Sequence, residues 1–350
     1  MNSYYQGIAK EVLGRVSLEP LRGQTVLVTG SNGLIGSHLI SVIALANRLL
    51  NLRAQVTCLS RSEPAIWIRE ILEEAKFEFF RVDLAQSPIG QLRSFDFVIH
   101  AATYGQPKKF LEDPLATMKL NSTVTLSLLE LASRKSGNFL YMSSSEIYGD
   151  VVDPGSLPLK EEFHGTVSPL DKRAAYTSSK RFGETLCKIF DDKKLTRARV
   201  ARISSIYGPG IYLKDDRVLN VFVLRALREG QIKMLDRGNQ RRRWLYISDG
   251  LVMLFYILLY SKELVYNVGG TDLRSIAELA GLIARETGAR VVPSQEGAAL
   301  AHTFGAPTVI DMSIDRILKE AGMSDLLPLH EGLKPCIGWA RQLLRESAAC

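Results

Sequence analysis

The sequence predicts a doubly wound α/β fold, in which helices cover both faces of a parallel sheet, followed by a smaller C-terminal cap. Three observations support this prediction. Short apolar runs alternate with longer segments of helical periodicity from residue 25 to residue 205. A glycine-rich loop follows the first of these runs, and the alternation breaks after "IYGPG" at 206–210. Crossover helices between strands are typical of parallel sheets.

The strands are predicted from runs of apolar, β-branched or aromatic residues, namely 25–30, 54–61, 77–84, 95–102, 137–145 and 197–205. Helical spacing of apolar residues is clearest at 34–50 and 116–135. We therefore expect residues 1–22 to extend outside the sheet, 23–205 to form the sheet domain with 244–268 returning to it, and 206–350 to form mainly the cap. Ligands of such sheets bind beyond the carboxyl ends of the strands.

Composition and charge narrow the class of protein. A chain of 350 residues with 46% apolar composition can bury a full-sized core. The longest apolar run, 251–260, is about half the ~20 residues that a membrane span needs, so we expect a buried helix there. The N-terminal residues do not read as a signal peptide, which indicates a cytoplasmic protein with no membrane partner. The net charge of +7 is spread along the chain, so no nucleic-acid partner is expected.

The cysteines and histidines are not spaced as the ligands of a metal site usually are. Cys58, Cys187, Cys336 and Cys350 form no CxxC pair, and the five histidines are equally dispersed. Reduced thiols and no metal site are expected.

The loop "TGSNGLIG" at 29–36 points to a dinucleotide. It places Gly30, Gly33 and Gly36 between an apolar strand and a helix, with Asn32 and Ile35 in the same turn. Glycines there allow a tight turn and a close approach of backbone N–H groups to a pyrophosphate at a helix N-terminus. A Rossmann-type nucleotide site is therefore expected at this strand end.

The end of the second strand bears on the choice between NAD and NADP. A carboxylate there would suit the adenosine ribose of NAD, but this sequence has Ser60 and Arg61. These residues favour a 2′-phosphate, although Arg61 could simply be solvated. Asp83 and Leu84, at the end of the third strand, are candidates for the adenine side, and Asp83 could instead cap a turn.

Tyr176 and Lys180 in "YTSSK" are four residues apart, so they share one face of the predicted helix. A tyrosine has a pKa of about 10 and needs a nearby cation to act as a base near neutrality. Lys180 could provide that cation. Two other motifs support a catalytic role for this pair. One is the phosphate loop, and the other is "SSSEIYG" at 143–149, where three serines precede Glu146 at a strand end.

These motifs, together with "HAAT" at 100–103, Asn121 and "YGPG" at 207–210, resemble the extended short-chain dehydrogenase/reductase family, specifically its nucleotide-sugar epimerases, dehydratases and decarboxylases. The resemblance covers most of residues 23–270. It implies a retained nicotinamide cofactor, NAD being the usual one in the family, a nucleotide-sugar substrate, and a homodimer formed through helices around 116–135 and 174–193.

The resemblance also implies roles for individual residues. Ser144 would bond the sugar 4-hydroxyl, Tyr176 would take its proton, and Lys180 would hold the nicotinamide ribose with support from Asn121 through a water chain. Further contacts with the cofactor would come from Ala101 and Ala102, and with the substrate from Thr103 and Ser145.

Among the subgroups, the decarboxylases of UDP-glucuronate match best. Members of that subgroup have the motif "TSE" followed later by "RxxY". This sequence is similar, with Ser144, Ser145 and Glu146 in the first motif and Arg173 three residues before Tyr176 in the second. The 4,6-dehydratases would have "TDE", whose aspartate is missing here, and simple 4-epimerases generally lack the glutamate. A 4-ketone made by hydride and proton removal lies β to the carboxylate, which lets CO2 leave. Glu146 would then orient the sugar or manage a proton, or would only bond a backbone loop.

In the predicted cap the sequence departs from the pattern of the family. Ser205 stands where the family often has an asparagine that contacts the substrate. Arg242 fits best the arginine that binds the nucleotide diphosphate, and Arg217 is a second candidate with an exposed surface role as its alternative. The alternatives to the decarboxylase are a 4,6-dehydratase or 4-epimerase, or a non-catalytic dinucleotide-binding protein.

Overall fold

The computed structural model describes residues 1–87, 89, 92–151, 154–294 and 307–349. Its strands are β1 (Thr25–Thr29), β2 (Gln55–Ser60), β3 (Glu78–Arg81), β4 (Phe97–His100), β5 (Asn138–Ser144), β6 (Arg197–Ile203), β7 (Ser205–Tyr207), β8 (Gln231–Lys233), β9 (Arg241–Tyr246), β10 (Val265–Val268), β11 (Asp272–Ser275), β12 (Arg290–Val292) and β13 (Val309–Ile310).

The α-helices are α1 (Ser3–Leu13), α2 (Leu34–Leu50), α3 (Ile66–Ala75), α4 (Pro107–Glu112), α5 (Pro114–Asn121), α6 (Thr123–Ser133), α7 (Ala174–Asp192), α8 (Val218–Glu229), α9 (Ile247–Leu259), α10 (Ile276–Thr287), α11 (Asp315–Ala321) and α12 (Leu329–Ala349). Short 3-10 helices span Glu19–Leu21, Ser145–Tyr148 and Pro154–Ser156.

The main sheet has seven strands in the order β10-β6-β5-β4-β1-β2-β3. Every neighbouring pair is parallel. The chain runs outward from β1 to β3, then crosses back to β4 on the other side of β1. This reversal of direction leaves a crevice at the carboxyl ends of β1 and β4, where ligands of doubly wound sheets bind.

The expected doubly wound α/β fold is confirmed, with differences at the edges of elements. The six predicted strands form, and all are shorter than their apolar runs. The predicted helix 116–135 is two helices, α5 and α6, with a break at Ser122. The carbonyl of Leu120 accepts from His100 Nε2 at 3.0 Å and from Thr125 Oγ1 at 3.2 Å. In a continuous helix the Leu120 carbonyl would accept from a backbone N–H of the next turn. Here two side chains take that place, which is consistent with the break at Ser122.

Residues 1–22 lie outside the sheet, yet they belong to the core. Helix α1 packs on α2 and α9, and its apolar face, including Tyr5, is buried. The Tyr5 ring stacks on His38 of α2 with centroids 4.1 Å apart, and the Tyr5 and Ser37 hydroxyl oxygens are 2.9 Å apart. Helix α1 therefore packs against α2, the helix that follows the glycine loop, and helps to hold it in position.

The cap contains two small sheets. In one, β9 pairs with β11, β13 and β7, and in the other β8 pairs with β12. Helices α8, α10 and α12 pack around them. The strand β10 leaves this region to join the edge of the main sheet beside β6.

The longest apolar run lies in α9, where nearly all residues are buried, as expected. Across the described ranges, no helix combines the length and the apolarity needed to cross a bilayer. Cys58, Cys187 and Cys336 are buried free thiols, and Cys350 lies outside the described residues.

Candidate active site

The turn between β1 and α2 is closed by backbone contacts that only glycine permits. Gly30 has φ +70°, and a Cβ built on it would lie 2.8 Å from the Ala102 nitrogen. A Cβ on Gly36 would lie 2.3 Å from the Gly30 carbonyl oxygen. Gly33 caps α2 in an extended conformation. The N-terminus of α2 is thus open to an anion such as a pyrophosphate.

The same loop holds a buried polar atom that is unsatisfied. Asn32 donates through Nδ2 to the Ser62 carbonyl at 2.6 Å, while its Oδ1 has no hydrogen-bond partner within the described part of the chain. Buried acceptors are normally satisfied, so this atom marks a place for a ligand donor. Together with the glycines and the partly buried Ile35 beyond them, the loop fits a dinucleotide.

The ends of β2 and β3 form the side of the crevice where an adenosine would lie. Ser60 ends β2, and the next residue, Arg61, lies over the Tyr104 ring at 4.8 Å and donates to the Tyr104 hydroxyl. Asp83 Oδ1 accepts from the Ala85 nitrogen at 3.0 Å, as a turn cap does. Burial raises the pKa of Tyr104 and Arg61 lowers it.

Three further cofactor candidates follow the ends of β3 and β4. Leu84 is buried beside the third strand's end. Ala101 and Ala102 follow β4 and face Gly30, and the Ala102 nitrogen donates to Thr29 Oγ1 at 3.2 Å. Because these alanine side chains are small, the glycine turn can lie directly against the end of β4.

Asn121 ties the loop after β4 to the start of α7. Thr103 donates through Oγ1 to Asn121 Oδ1 at 3.0 Å, and Asn121 Nδ2 donates to Ser179 Oγ at 3.1 Å. Ser179 donates in turn to the Tyr176 carbonyl at 3.0 Å. Asn121 thus supports the backbone that carries Tyr176, and Thr103 is bonded to Asn121.

Ser144, Tyr176 and Lys180 come together, although they lie on different elements. Ser144 ends β5, and its side chain is near enough to Tyr176 on α7 to lower the pKa of the phenol. Ser144 Oγ also accepts from the Glu146 nitrogen at 3.2 Å, which caps the 3-10 helix. Lys180 is buried one turn after Tyr176, with Nζ 5.9 Å from the Tyr176 ring centroid.

The acidity of Tyr176 is set by its burial and by the polar and charged groups beside it. Burial raises the pKa of Tyr176, and the Glu146 carboxylate raises it further, while the Ser144 side chain and the Arg173 charge lower it. Lys180 donates to the Met142 carbonyl at 2.6 Å. Arg173 is thus a cation that lowers the pKa of the phenol, and Lys180, whose Nζ donates to the strand, lies close to the same ring.

Glu146 and Arg173 form an ion pair beside the phenol. Arg173 Nε donates to Glu146 Oε2 at 2.9 Å, and its Nη2 contacts both carboxylate oxygens. The guanidinium lies over the Phe110 ring at 4.8 Å, and the other partner of that ring is Tyr176, stacked at 4.6 Å. Phe110 is thus packed between the guanidinium and the phenol ring.

Arg242, the candidate for the nucleotide diphosphate, lies within the electrostatic influence of Glu146 and Arg173. Its guanidinium is partly buried and donates through Nη2 to the Pro307 carbonyl at 2.8 Å. Burial lowers the pKa of Arg242 to about 10, and the Glu146 charge raises it while Arg173 lowers it. Since Arg242 is in the field of both charges, it adds positive charge to this end of the site. Ser145 is buried next to Glu146.

The other two cap candidates lie on separate elements. Ser205 begins β7 and pairs with Trp244 of β9. Arg217 precedes α8 and makes a two-point ion pair with Asp215, with Nη2 to Oδ2 at 2.6 Å. This pair holds Arg217 to its own loop, so the structure assigns it a local partner.

Sequence reasoning missed Tyr104 and Phe110. Tyr104 lies in the loop after "HAAT", and Phe110 lies in the short helix α4 that follows it. Each is an aromatic residue in a mostly polar stretch, and this feature could have identified them from the sequence. It also missed Glu184, which stands four residues after Lys180 and is largely buried.

Known proteins resemble this chain over most of its length. The model of the NAD dependent epimerase/dehydratase family matches residues 26–269. UDP-glucuronic acid decarboxylase 1 of Xenopus tropicalis is 29% identical over 323 residues, which is 92% of this chain and 73% of that protein.

Solved structures resemble the fold. An epimerase from Methanothermobacter thermautotrophicus superposes with a TM-score of 0.78 at 23% identity, covering 98% of both chains. The UDP-glucuronic acid 4-epimerase from Bacillus cereus, in complex with UDP-glucuronic acid and NAD, gives a TM-score of 0.72 at 23% identity, covering 91% of this chain and 99% of the other.

The family model spans the glycine loop, the Ser144 strand end and the Tyr176 helix, which are the elements that build the crevice described above. The resemblance inferred from the motifs is confirmed, and the chain belongs to the NAD-dependent epimerase/dehydratase family.

Proposed function

We propose that the protein is a nucleotide-sugar decarboxylase that oxidises UDP-glucuronate at C4 and returns the hydride after CO2 has left. The observation that carries this proposal is the placement of Ser144 and Tyr176 directly beside the Glu146–Arg173 ion pair. A proton acceptor for a sugar hydroxyl therefore lies next to charges that suit a substrate carboxylate.

Each residue has a defined task in this reaction. The nicotinamide, when bound, supplies a reversible hydride acceptor. Ser144 holds the 4-hydroxyl, and Tyr176 takes its proton as C4 is oxidised. The resulting 4-ketone lies β to the C5 carboxylate, so the electrons of the breaking C–C bond pass toward the ketone oxygen and CO2 departs. A proton then adds to C5, and Tyr176 returns its proton when the ketone is reduced.

The charges around Tyr176 suit an anionic substrate. Arg173 and Arg242 both lie in the field of Glu146, and a second carboxylate entering the site would meet two guanidinium groups. Arginine binds carboxylates with two parallel hydrogen bonds. Glu146 then orients the sugar through Arg173, or gives and takes a proton at the reacting carbon.

The alternative function is 4-epimerisation, supported by the fold shared with a 4-epimerase of a sugar acid. An epimerase would form the same 4-ketone and keep the carboxylate. Dehydration is less well supported because Ser145 stands where an acid would be needed to expel water.

One experiment separates these reactions. The purified protein is incubated with UDP-, dTDP-, GDP- and CDP-sugars, and the products are analysed by mass spectrometry. Loss of CO2 from UDP-glucuronate supports the proposal. Loss of water would indicate a dehydratase, and an unchanged mass with altered stereochemistry an epimerase. Binding of nucleotide sugars without any redox change would indicate a non-catalytic protein.

We propose that the adenosine end of the site takes NADP as well as NAD. No carboxylate ends β2, and Arg61 has an aromatic ring and a hydroxyl as partners, with no acid paired to it among the described contacts. A guanidinium in this position could bind a 2′-phosphate. The dinucleotide released from the purified protein by heat and identified by mass spectrometry tests this directly.

A homodimer through α5 and α7 is also proposed. Leu115 and Met118 on α5 and Phe182 and Ile189 on α7 are exposed apolar side chains, and the two helices pack side by side. Such a surface is suited to a second copy of the chain. Light scattering on the eluting protein measures the assembly. The cytoplasmic location stays a prediction.

A further inference from the structure

Lys180 and Glu184 lie one turn apart on α7, and both side chains reach the same stretch of β5. Lys180 Nζ donates to the Met142 carbonyl at 2.6 Å, and the Ser143 hydroxyl donates to Glu184 Oε1 at 2.5 Å. Residues four apart on a helix are neighbours on one face. The ammonium and the carboxylate are therefore held over two consecutive residues of the strand.

Glu184 is fixed in this place by an arginine of β6. Arg202 donates through Nε to Glu184 Oε1 at 3.0 Å and through Nη2 to Oε2 at 2.7 Å. Both side chains are only 11% exposed. The same guanidinium donates to the Tyr148 hydroxyl at 2.9 Å and to the Glu161 carbonyl at 2.7 Å. A two-point pair with these anchors leaves the carboxylate little freedom to turn.

Apart from the Glu184–Arg202 ion pair, three titratable groups that the structure describes beside Lys180 are neutral near pH 7. Tyr141 of β5 lies with its ring 4.8 Å from Nζ, and burial raises its pKa well above the usual value. Burial raises the pKa of the Cys187 thiol on α7, and it lowers the pKa of His100 on β4 to about 3. Glu184 is left as the negative charge among them.

Burial opposes the charge on Lys180. It lowers the pKa of Lys180 to about 7, and the Glu184 carboxylate acts in the opposite direction. Tyr176, one turn earlier on the same helix, is a protonated phenol in this structure because burial raises its pKa. The charge state of Lys180 thus depends on a carboxylate that is bonded to Ser143 of β5 and Arg202 of β6.

We infer that Glu184 is a positioning residue that holds Lys180 in its charged form beside Tyr176, with Ser143 and Arg202 fixing the carboxylate for this task. The inference rests on the proposed function, in which a charged Lys180 binds the nicotinamide ribose and assists proton transfer at Tyr176. A neutral amine would be a weaker donor and would no longer stabilise a phenolate.

The pKa of Lys180 can be measured directly on the protein with its dinucleotide retained. Lysine labelled with ¹³C at Cε is titrated by NMR, and the Lys180→Met spectrum assigns the signal. In Glu184→Gln the pKa of Lys180 falls by about one unit or more, since a neighbouring opposite charge shifts a pKa by roughly 1 to 3 units. The matched control is Glu161→Gln, a buried acid that accepts from the Asn267 nitrogen at 2.9 Å; it leaves the pKa of Lys180 unchanged.

Turnover provides the second measurement. The charged form of Lys180 is lost as the pH rises through its pKa, so the alkaline limb of the pH profile moves to lower pH in Glu184→Gln and stays in place in Glu161→Gln. A one-unit move corresponds to a roughly tenfold change in the proportion of charged to neutral Lys180 at a fixed pH. Glu184→Asp retains the charge and returns the limb toward its original position.

The outcomes separate this inference from the proposed function. An unchanged pKa of Lys180 in Glu184→Gln overturns the inference, whatever the protein catalyses. A lowered pKa in a protein that converts no sugar nucleotide supports the action of Glu184 on Lys180 and rejects the proposed function. Where Glu184→Gln does not fold, the isosteric pair Glu184→Asp and Glu184→Asn decides: a lower pKa of Lys180 in the asparagine variant supports the inference, and equal values overturn it.

Discussion

Arg173 holds both oxygens of the Glu146 carboxylate, and these two residues act on Tyr176 in opposite directions. The carboxylate raises the pKa of the phenol, and the guanidinium lowers it. The pair is mostly shielded from water, with 4% of the Arg173 side chain and 19% of the Glu146 side chain exposed. A substrate carboxylate that engaged Arg173 would therefore change the acidity of the phenol that we propose takes the proton of the sugar 4-hydroxyl.

Glu146→Gln tests this relationship. Removal of the negative charge should lower the pKa of Tyr176, so the acid limb of the pH profile of kcat moves to lower pH. Since the role in orienting the sugar or moving a proton is also lost, kcat should fall by about 10²-fold. Dinucleotide content should stay at the level of the parent, as measured by absorbance of the purified protein.

The matched control is Glu162→Gln, an exposed acid that pairs with Arg316, and its kcat and pH profile should equal those of the parent. If Glu146→Gln kept the parental kcat and pH profile, Glu146 would have only a local structural role.

Tyr176→Phe removes the proposed proton acceptor and keeps the ring that stacks on Phe110. We expect kcat to fall by about 10²- to 10⁴-fold, because general acid–base groups contribute on that scale. Mass spectrometry of the product measures turnover, and the released dinucleotide is quantified separately.

Tyr256→Phe is the control, since its hydroxyl donates to the Glu320 carbonyl at 2.7 Å, outside the crevice. Turnover by Tyr176→Phe at the parental rate would assign the base to another residue.

Arg61→Ser tests the adenosine end of the site. A hydrogen bond from a charged group contributes about 1.5–3 kcal/mol, so NADP affinity should fall by about tenfold or more, while NAD affinity changes little. Titration of dinucleotide-free protein by calorimetry gives both constants. Arg69→Ser, an exposed arginine on α3, should leave both unchanged. An equal loss of NAD and NADP in Arg61→Ser would mean that Arg61 only supports Tyr104.

The core of the site could be predicted because its residues obey local rules. Tyr176 and Lys180 share a helix face because of their spacing, and Ser144 ends a strand because an apolar run stops there. The glycine loop is equally local. These features need only the helical period, the strand end and the crossover rule to be placed together.

The partners of these residues could not be predicted, because they depend on loops and on register. Phe110 reaches Tyr176 from a six-residue helix whose position follows no periodic pattern. The pairing of Glu184 with Arg202 requires the packing of α7 on β6. The burial of α1 is likewise tertiary: its apolar stripe is visible in the sequence, but the surface that covers it is formed by α2 and α9.

Stability should fall in acid because His38 is buried in the neutral form. Its Nε2 lies 2.9 Å from the Pro209 carbonyl oxygen, and burial lowers the pKa of His38 to about 4 from a usual 6.5. The unfolded chain thus binds a proton between these values that the folded chain does not, so the free energy of unfolding decreases as the pH falls from about 6.5 to 4, by about 3 kcal/mol in all. Urea denaturation at several pH values measures this slope. His38→Gln should flatten it by up to one proton, whereas His330→Gln, an exposed histidine, should not. A slope that His38→Gln leaves unchanged would assign the acid sensitivity to another group, such as His100, whose pKa burial also lowers.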